Sequence, residues 1–188
     1  MRYQISGKQI DIGDALRTHV RTELDEAVSK YAERPTDALV VFSKTGHEFA
    51  CEATVHLSTG LNASAKAKAT EIYAAFDSCC EKMEKQLRRY KRRIKDRHAQ
   101  TAHAVREAEA AYTILASPEA DNDEEVSADS PPVIAETKAM IPECSVADAV
   151  MLLDLQNANG LLFKNGGSGE HNMVYRRHDG SIGWVEPR

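Results

Sequence analysis

The sequence IYAAFDSCCEKMEKQLRRYKRRIKDR, residues 72–97, predicts one long helix with two unlike sides. Apolar residues recur in it at steps of three and four, the spacing of a single helix face. That stripe consists of Ile72, Phe76, Cys79, Met83, Leu87, Tyr90 and Ile94. Cations fall mainly on the other side: Lys82, Lys85, Arg88, Arg89, Arg92 and Arg93. We therefore expect one side to pack on a core and the other to meet something negative.

Charge is distributed unevenly along the chain. Residues 1–98 hold 18 Lys and Arg against 14 Asp and Glu, whereas the remaining 90 residues hold 6 against 15. The formal net charge of the whole chain is -5, so the cations of the long helix are a local concentration. Such a concentration favours a polyanionic partner, although a solvated helix face has the same composition.

Composition excludes several classes of protein. No apolar run is long enough to span a bilayer, and the N-terminus lacks the apolar segment of a secretory signal. Four cysteines without framework spacing predict buried or spare thiols in a reducing compartment, and seven scattered histidines give no metal-ligand spacing. We expect a cytoplasmic protein with no metal, cofactor, membrane or small-molecule substrate.

Residues 1–100 predict a first domain of α+β class. A short strand at Tyr3 and Ile5 precedes an amphipathic helix at about 14–31, and three strands with alternating apolar residues follow before the long helix. The order β-α-β-β-β-α predicts an antiparallel sheet with both helices on one face. Lys66 and Lys68 share one side of the last strand and could extend the cationic surface of the helix.

Residues 101–132 predict an acidic flexible linker. The segment EAEAAYTILASPEADNDEEVSADSPP, residues 107–132, is rich in acids and small side chains and ends in two prolines. We expect this composition to bury too little apolar surface to order itself.

Residues 133–188 predict a small β-α-β-β-β domain. Ser145 and Asp148 have the spacing of a capping box at the start of its helix. A unit of this size usually needs a staple, and no metal or disulfide is indicated. Its last strands carry more apolar side chains than a lone sheet covers easily: Phe163, Met173, Val174, Tyr175, Ile182, Trp184 and Val185. These residues predict a homodimer, although an entirely intramolecular core is the alternative.

Both ends of the chain resemble one family. The stretch YAAFDSCCEKMEKQLRRYKRRI, residues 73–94, resembles the last helix of the N-terminal domain of ribosome hibernation promoting factors, and RYQISGKQIDIGDALRTHV, residues 2–20, is also similar. The stretch LFKNGGSGEHNMVYRRHDGSIGWVEP, residues 162–187, resembles the C-terminal domain of the long form of that family.

The resemblance implies a function for each domain. The first would occupy the mRNA and tRNA channel of the small ribosomal subunit and block translation; the second would self-associate and pair ribosomes. Facing ribosomal RNA would be Lys66, Lys68, Lys82, Lys85, Arg88, Arg89, Lys91, Arg92 and Arg93. The dimerisation side chains would be Phe163, Val174, Tyr175 and Trp184. Two departures, the polar helix end at 155–160 and an enlarged turn at 165–170, bear on the C-terminal interface.

Two other functions remain open at this point. A general RNA-binding protein or RNA chaperone accounts for the cationic helix but gives the second domain no role. An enzyme could use Glu48 or Glu52 with His47 or His56 for acid–base chemistry. No nucleophile motif, phosphate loop or metal spacing completes such a site, so surface polar residues explain these side chains better.

Overall fold

The computed structural model describes residues 1–32, 35–58, 60–98, 106–116 and 131–187. The N-terminal elements are β1 (Arg2–Lys8), α1 (Asp14–Ser29), β2 (Asp37–Thr45), β3 (Glu48–His56), β4 (Asn62–Ala69) and α2 (Ile72–His98). The C-terminal elements are β5 (Arg106–Leu115), β6 (Val133–Cys144), α3 (Val146–Leu155), β7 (Gly160–Asn165), β8 (His171–Arg176) and β9 (Ile182–Val185).

The first sheet has the strand order β1-β2-β3-β4 and carries both of its helices on one face. This agrees with the predicted α+β class and element order. The expected antiparallel sheet is wrong in one respect, because β1 pairs with β2 in parallel while β2–β3 and β3–β4 are antiparallel. The helix α1 makes the difference, since it returns the chain to the end of the sheet at which β1 began.

The core of this half lies between the sheet and the two helices. Helix α1 contributes residues spaced four apart to this core. Leu16, Val20 and Leu24 are among them, and all three are nearly or fully buried. The long helix buries Phe76, Cys79, Met83 and Leu87 as the stripe predicts, with Ile72 and Tyr90 partly buried at its margins. The side chain of Ile94 lies outside the described part of the chain.

The cysteines of this core are packing groups. All four cysteines of the chain are buried thiols that form no disulfide. A hydrogen bond to Cys79, together with burial, raises the pKa of the Cys51 thiol, and burial raises that of Cys80 to about 12. The thiolate is the reactive form of cysteine, so Cys51 and Cys80 have little nucleophilic character.

The second sheet has the order β5-β6-β7-β8-β9. Its first two strands form a long antiparallel ribbon, in which Tyr112 lies opposite Thr137. The prediction of a flexible linker across 101–132 is therefore wrong for residues 106–115, which form β5; residues 101–105 and 117–130 lie outside the described residues. Ala108, Ala110, Tyr112 and Ile114 alternate with Glu107, Glu109, Ala111 and Thr113, a strand pattern that the acidic composition obscured.

The helix α3 covers one face of strands β7 and β8. Its predicted capping box is present: the Ser145 hydroxyl accepts from the Asp148 backbone N–H, and the Asp148 carboxylate accepts from the Ser145 N–H. Against its apolar side pack Phe163 and Val174, both fully buried. The helix is apolar around most of its circumference, and it contacts α2 as well as its own sheet.

Removing the ring of Phe76 should test the core. Phe76 is fully buried, with its ring centroid 6.3 Å from that of Phe42. We expect Phe76→Ala to lower the free energy of unfolding by about 3–5 kcal/mol, since it deletes a large side chain and leaves a cavity. Urea unfolding followed by circular dichroism measures this, with Glu81→Ala on the exposed side of the same helix as the control. Equal midpoints for the two variants would contradict the packing described.

Candidate nucleic-acid interface and association face

Five cations of α2 share one side of the helix, here called the cationic flank: Lys82, Lys85, Arg89, Arg92 and Arg93. At 100° per residue they fall within an arc of about 100°. All five are exposed, and none forms an ion pair with another described residue. The Lys82 ammonium donates to the Lys66 carbonyl oxygen over 3.0 Å, which places the flank beside the edge strand β4.

Two predicted cations lie on the other flank, towards α1. The Lys91 ammonium donates to the Lys30 carbonyl oxygen over 2.8 Å and lies 6.0 Å from the centre of the Tyr31 ring. Lys30 is the C-cap of α1, where unpaired carbonyls and the helix dipole attract a cation. Arg88 is close enough to Tyr31 to act on the titration of its hydroxyl. Lys91 therefore holds the two helices together.

The strand lysines occupy a different surface from the flank. Ala65 and Ala67 of β4 are buried under α2, so the alternate residues Lys66 and Lys68 lie on the opposite, open face of the sheet. The Lys66 ammonium pairs with the Glu52 carboxylate at 3.3 Å. The backbone of β4 adjoins the cationic flank, but its lysine side chains do not join it.

Helix α3 lies alongside the cationic flank and leaves an open cleft of about 640 Å3. Arg89, Arg92 and Arg93 line one wall, and the other wall includes Met151 and Asp154. Asp154 is already paired with Arg176, its carboxylate lying 2.6 Å from the guanidinium. The arginines remain exposed to solvent, so phosphate groups can reach them.

The groove between α1 and α2 has the opposite charge. Its lining includes Glu23, Glu26, Asp77, Glu81 and Glu84. Sequence reasoning missed this groove, although the acids of α2 recur in it at helical spacing. A helix with acids along one side and cations along the other orients itself in the field of a polyanion, with the cationic flank inward.

Among the described residues, neither Glu48 nor Glu52 forms an ion pair with His47 or His56, the side chains considered for acid–base chemistry. The imidazole of His56 hydrogen-bonds Asn62, and Glu52 pairs with Lys66. No cluster of His, Cys, Asp or Glu suited to a metal ion occurs within the described ranges. No helix in that same part of the chain is long and apolar enough to cross a membrane.

Two of the predicted dimerisation residues are unsuited to that role. Phe163 and Val174 are fully buried against α3 within one copy, so they cannot contact a second copy directly. Trp184 pairs with Val174 on the same side of the sheet, and its indole N–H donates to the buried Asn172 side chain over 2.9 Å. Alternation alone could not show which side α3 covers.

The opposite side of strands β7–β9 is open and apolar. Leu162 pairs with Met173, which pairs in turn with Val185, and each of the three is between 42% and 50% exposed. The Tyr175 ring occupies the space beside Gly183 that a Cβ would need, so any side chain there would collide with it. Of the four predicted residues, Tyr175 alone belongs to this open face; Leu162 was missed because its position in the strand is ambiguous without α3.

Two protein-family models match the chain. The model described as "Sigma 54 modulation protein / S30EA ribosomal protein" matches residues 3–95. The model described as "Sigma 54 modulation/S30EA ribosomal protein C terminus" matches residues 128–183.

Relatives named ribosome hibernation promotion factor match over nearly their full length. The one from Bradyrhizobium diazoefficiens is 39% identical over 192 residues, covering 100% of this chain and 95% of the relative. The one from Rhizobium meliloti is 38% identical over 187 residues, covering 99% and 97%. A solved structure, the N-terminal domain of Thermus thermophilus Protein Y, is 27% identical over 48% of this chain and 99% of its own, with a TM-score of 0.43.

Lysines 91 and 85 should differ in their effect on stability. We expect Lys91→Ala to lower the free energy of unfolding by about 1 kcal/mol, because it removes a cation from the C-terminus of α1. Lys85→Ala, an equal truncation on the cationic flank, should change it by less than about 0.5 kcal/mol. Urea midpoints of the two variants measure the difference, and a Lys85 variant as destabilised as the Lys91 variant would contradict the assignment.

Proposed function

We propose, since the chain belongs to the Sigma 54 modulation protein / S30EA ribosomal protein family of ribosome hibernation factors, that its N-terminal half occupies the mRNA and tRNA channel of the small ribosomal subunit. The resemblance inferred from sequence is confirmed at the level of this family. Hibernation factors are not enzymes, which agrees with the expectation of no catalytic role. Occupancy of the channel would block translation in the cytoplasm without any chemical step.

The observation that carries the proposal is the cationic flank. Five exposed cations on one rigid helix, without acidic partners among the described residues, present a row of charges to phosphate groups. Each Lys or Arg that meets a phosphate releases condensed counterions, which is favourable and depends on salt. Structured ribosomal RNA offers backbone and shape rather than a readable major groove, and a helix on a small sheet suits such a target.

The five flank cations are the RNA contacts that the geometry favours most. Arg88 lies about 40° round the helix from Arg92 on the side of α1, Lys91 is committed to α1, and Lys66 and Lys68 lie on the open face of the sheet. We propose that these four contribute less, through the general field of the domain rather than through direct contacts.

We further propose that the C-terminal half joins two copies and thereby pairs ribosomes into inactive dimers. The open face of β7–β9 supports this, because large apolar side chains half-exposed on one sheet face mark an association surface. The interface then consists of Leu162, Met173, Tyr175 and Val185. If the chain were a general RNA chaperone, this apolar face would have no function.

Charge reversal on adjacent arginines should test the ribosome-binding surface. We expect Arg89→Glu to weaken binding to purified small subunits about tenfold and to lower the magnitude of the salt slope by roughly one. Arg88→Glu, the same change one residue away on the other flank, should weaken binding less than about threefold. Fluorescence anisotropy across a salt series measures both quantities. Equal losses for the two variants, or equal affinity for bare duplex RNA, would contradict the proposal.

A charge on the open sheet face should abolish self-association. We expect Leu162→Asp to make the chain monomeric in sedimentation equilibrium, because an unpaired carboxylate would be buried at the interface. Ser168→Asp, in the exposed turn after β7, is the control and should remain dimeric. Small-subunit binding should be unchanged in both variants; a dimeric Leu162 variant would show that the copies meet elsewhere.

A further inference from the structure

We propose that the apolar face of the β5–β6 ribbon is part of the surface through which two copies of this chain associate. The inference rests on the proposed self-association and extends it to a segment whose composition predicts a linker. The occupant of the ribbon face is then the corresponding face of a second copy.

The two faces of the ribbon differ in charge. One face holds Ala108, Ala110, Tyr112 and Ile114 from β5, paired with alternate residues of β6 from 135 to 141, none of which is charged. The other face is mixed: the Lys138 ammonium lies 2.6 Å from the Glu109 carboxylate, and exposed Ile134 and Met140 are on the same side. An uncharged strand face is the one that normally packs against another layer.

In the single copy this apolar face is uncovered. Tyr112 is 51% exposed and Ile114 38%. In the sheet β5 is an edge strand whose neighbour is β6. A two-stranded ribbon is marginally stable by itself in water, so its order favours a further layer against it.

The register makes the ribbon face continuous with the open face of β7–β9. Glu143 of β6 lies on the same face as the odd-numbered residues 135–141, and it is opposite Lys164 of β7. Lys164 in turn lies on the same face as Leu162. Leu162 pairs with Met173, and Met173 pairs with Val185, so all three belong to that face. Where the two parts meet, the Lys164 ammonium and the Glu143 carboxylate pair at 3.6 Å and offset each other's charge. One side of the whole five-stranded sheet is therefore an unpartnered surface.

The area of this surface suits a dimer only when both parts are counted. A ribbon ten residues long is about 33 Å by about 10 Å, or roughly 300 Å2 in outline, from standard strand spacings. Strands β7–β9 add a similar outline area, again of about 300 Å2. A stable interface usually buries about 800 Å2 of accessible surface on each partner. Neither part alone approaches that figure. Both parts together do, because protruding side chains make the accessible surface larger than the flat outline.

The chemistry of the ribbon favours a second copy over a nucleic acid. Its charged face holds Glu107, Glu109 and Glu136 against the single cation of Lys138, a net negative charge that repels phosphate, and its apolar face has no charged residue across 108–114 and 135–141. A two-fold axis places a face against itself, so an uncharged face meets an uncharged face at no electrostatic cost.

Charge placed on either face of β5 in the full chain tests the inference. We expect Tyr112→Asp with Ile114→Asp to weaken dimerisation at least tenfold in sedimentation equilibrium. The matched control, Ala111→Asp with Thr113→Asp on the charged face of the same strand, should change it less than threefold. Unchanged binding to small subunits by both variants verifies that the N-terminal half is folded.

A labelling measurement keeps the test valid if the aspartates disturb the ribbon. Ala110→Cys and Ala111→Cys place a thiol on the apolar and the charged face, and the four native thiols are buried. Maleimide should label Ala110→Cys at least tenfold more slowly above the dimerisation concentration than below it, and Ala111→Cys equally at both. A dimer that leaves both thiols equally reactive would overturn this inference alone. A wild-type chain that stays monomeric would overturn the proposed self-association together with it.

Discussion

Alanines at positions 63, 65 and 67 give strand β4 a surface of single methyl groups, and α2 packs directly on it. Because the apolar stripe of the helix can face only this surface, the rotation of the helix about its axis is fixed. That rotation decides which cations are presented to solvent beside β4 and which ones face α1. The proposed ribosome-binding surface is thus a consequence of core packing, and its precision comes from the rigid helix on which it is built.

A comparable constraint governs the C-terminal half. The helix α3 covers one face of its sheet and buries Phe163 and Val174, so the other face has no intramolecular cover. Because side chains alternate along each strand and paired residues share a face, the same two faces continue from β9 to β5. The side on which α3 packs therefore separates the core from the open surface in β7 and β8, and it fixes which face of the ribbon is continuous with that open surface.

The sequence predicted the elements better than it predicted their faces. The stripe through Phe76 and Met83 placed α2 correctly, because the helical period requires no tertiary information. The helical period could not show which cations of α2 face α1. The Lys91 ammonium binds the carbonyl oxygen of Lys30 at the end of α1, which lies 61 residues earlier in the chain. For a similar reason the sequence did not show that Phe163 and Val174 are buried under α3, since alternation yields two candidate faces and only α3 distinguishes them. Strand β5 was missed because the acidic residues on one of its faces outweighed the alternating apolar residues on the other.

We propose that one chain binds ribosomes through the flank of α2 and joins them through its second sheet. Sucrose-gradient sedimentation of purified ribosomes with the full chain tests both functions together. We expect a faster-sedimenting peak of paired ribosomes that contains the chain. With Leu162→Asp, the chain should sediment with single ribosomes and the paired peak should be lost. A chain that remains at the top of the gradient, with no change in the ribosome profile, would show that neither function is present.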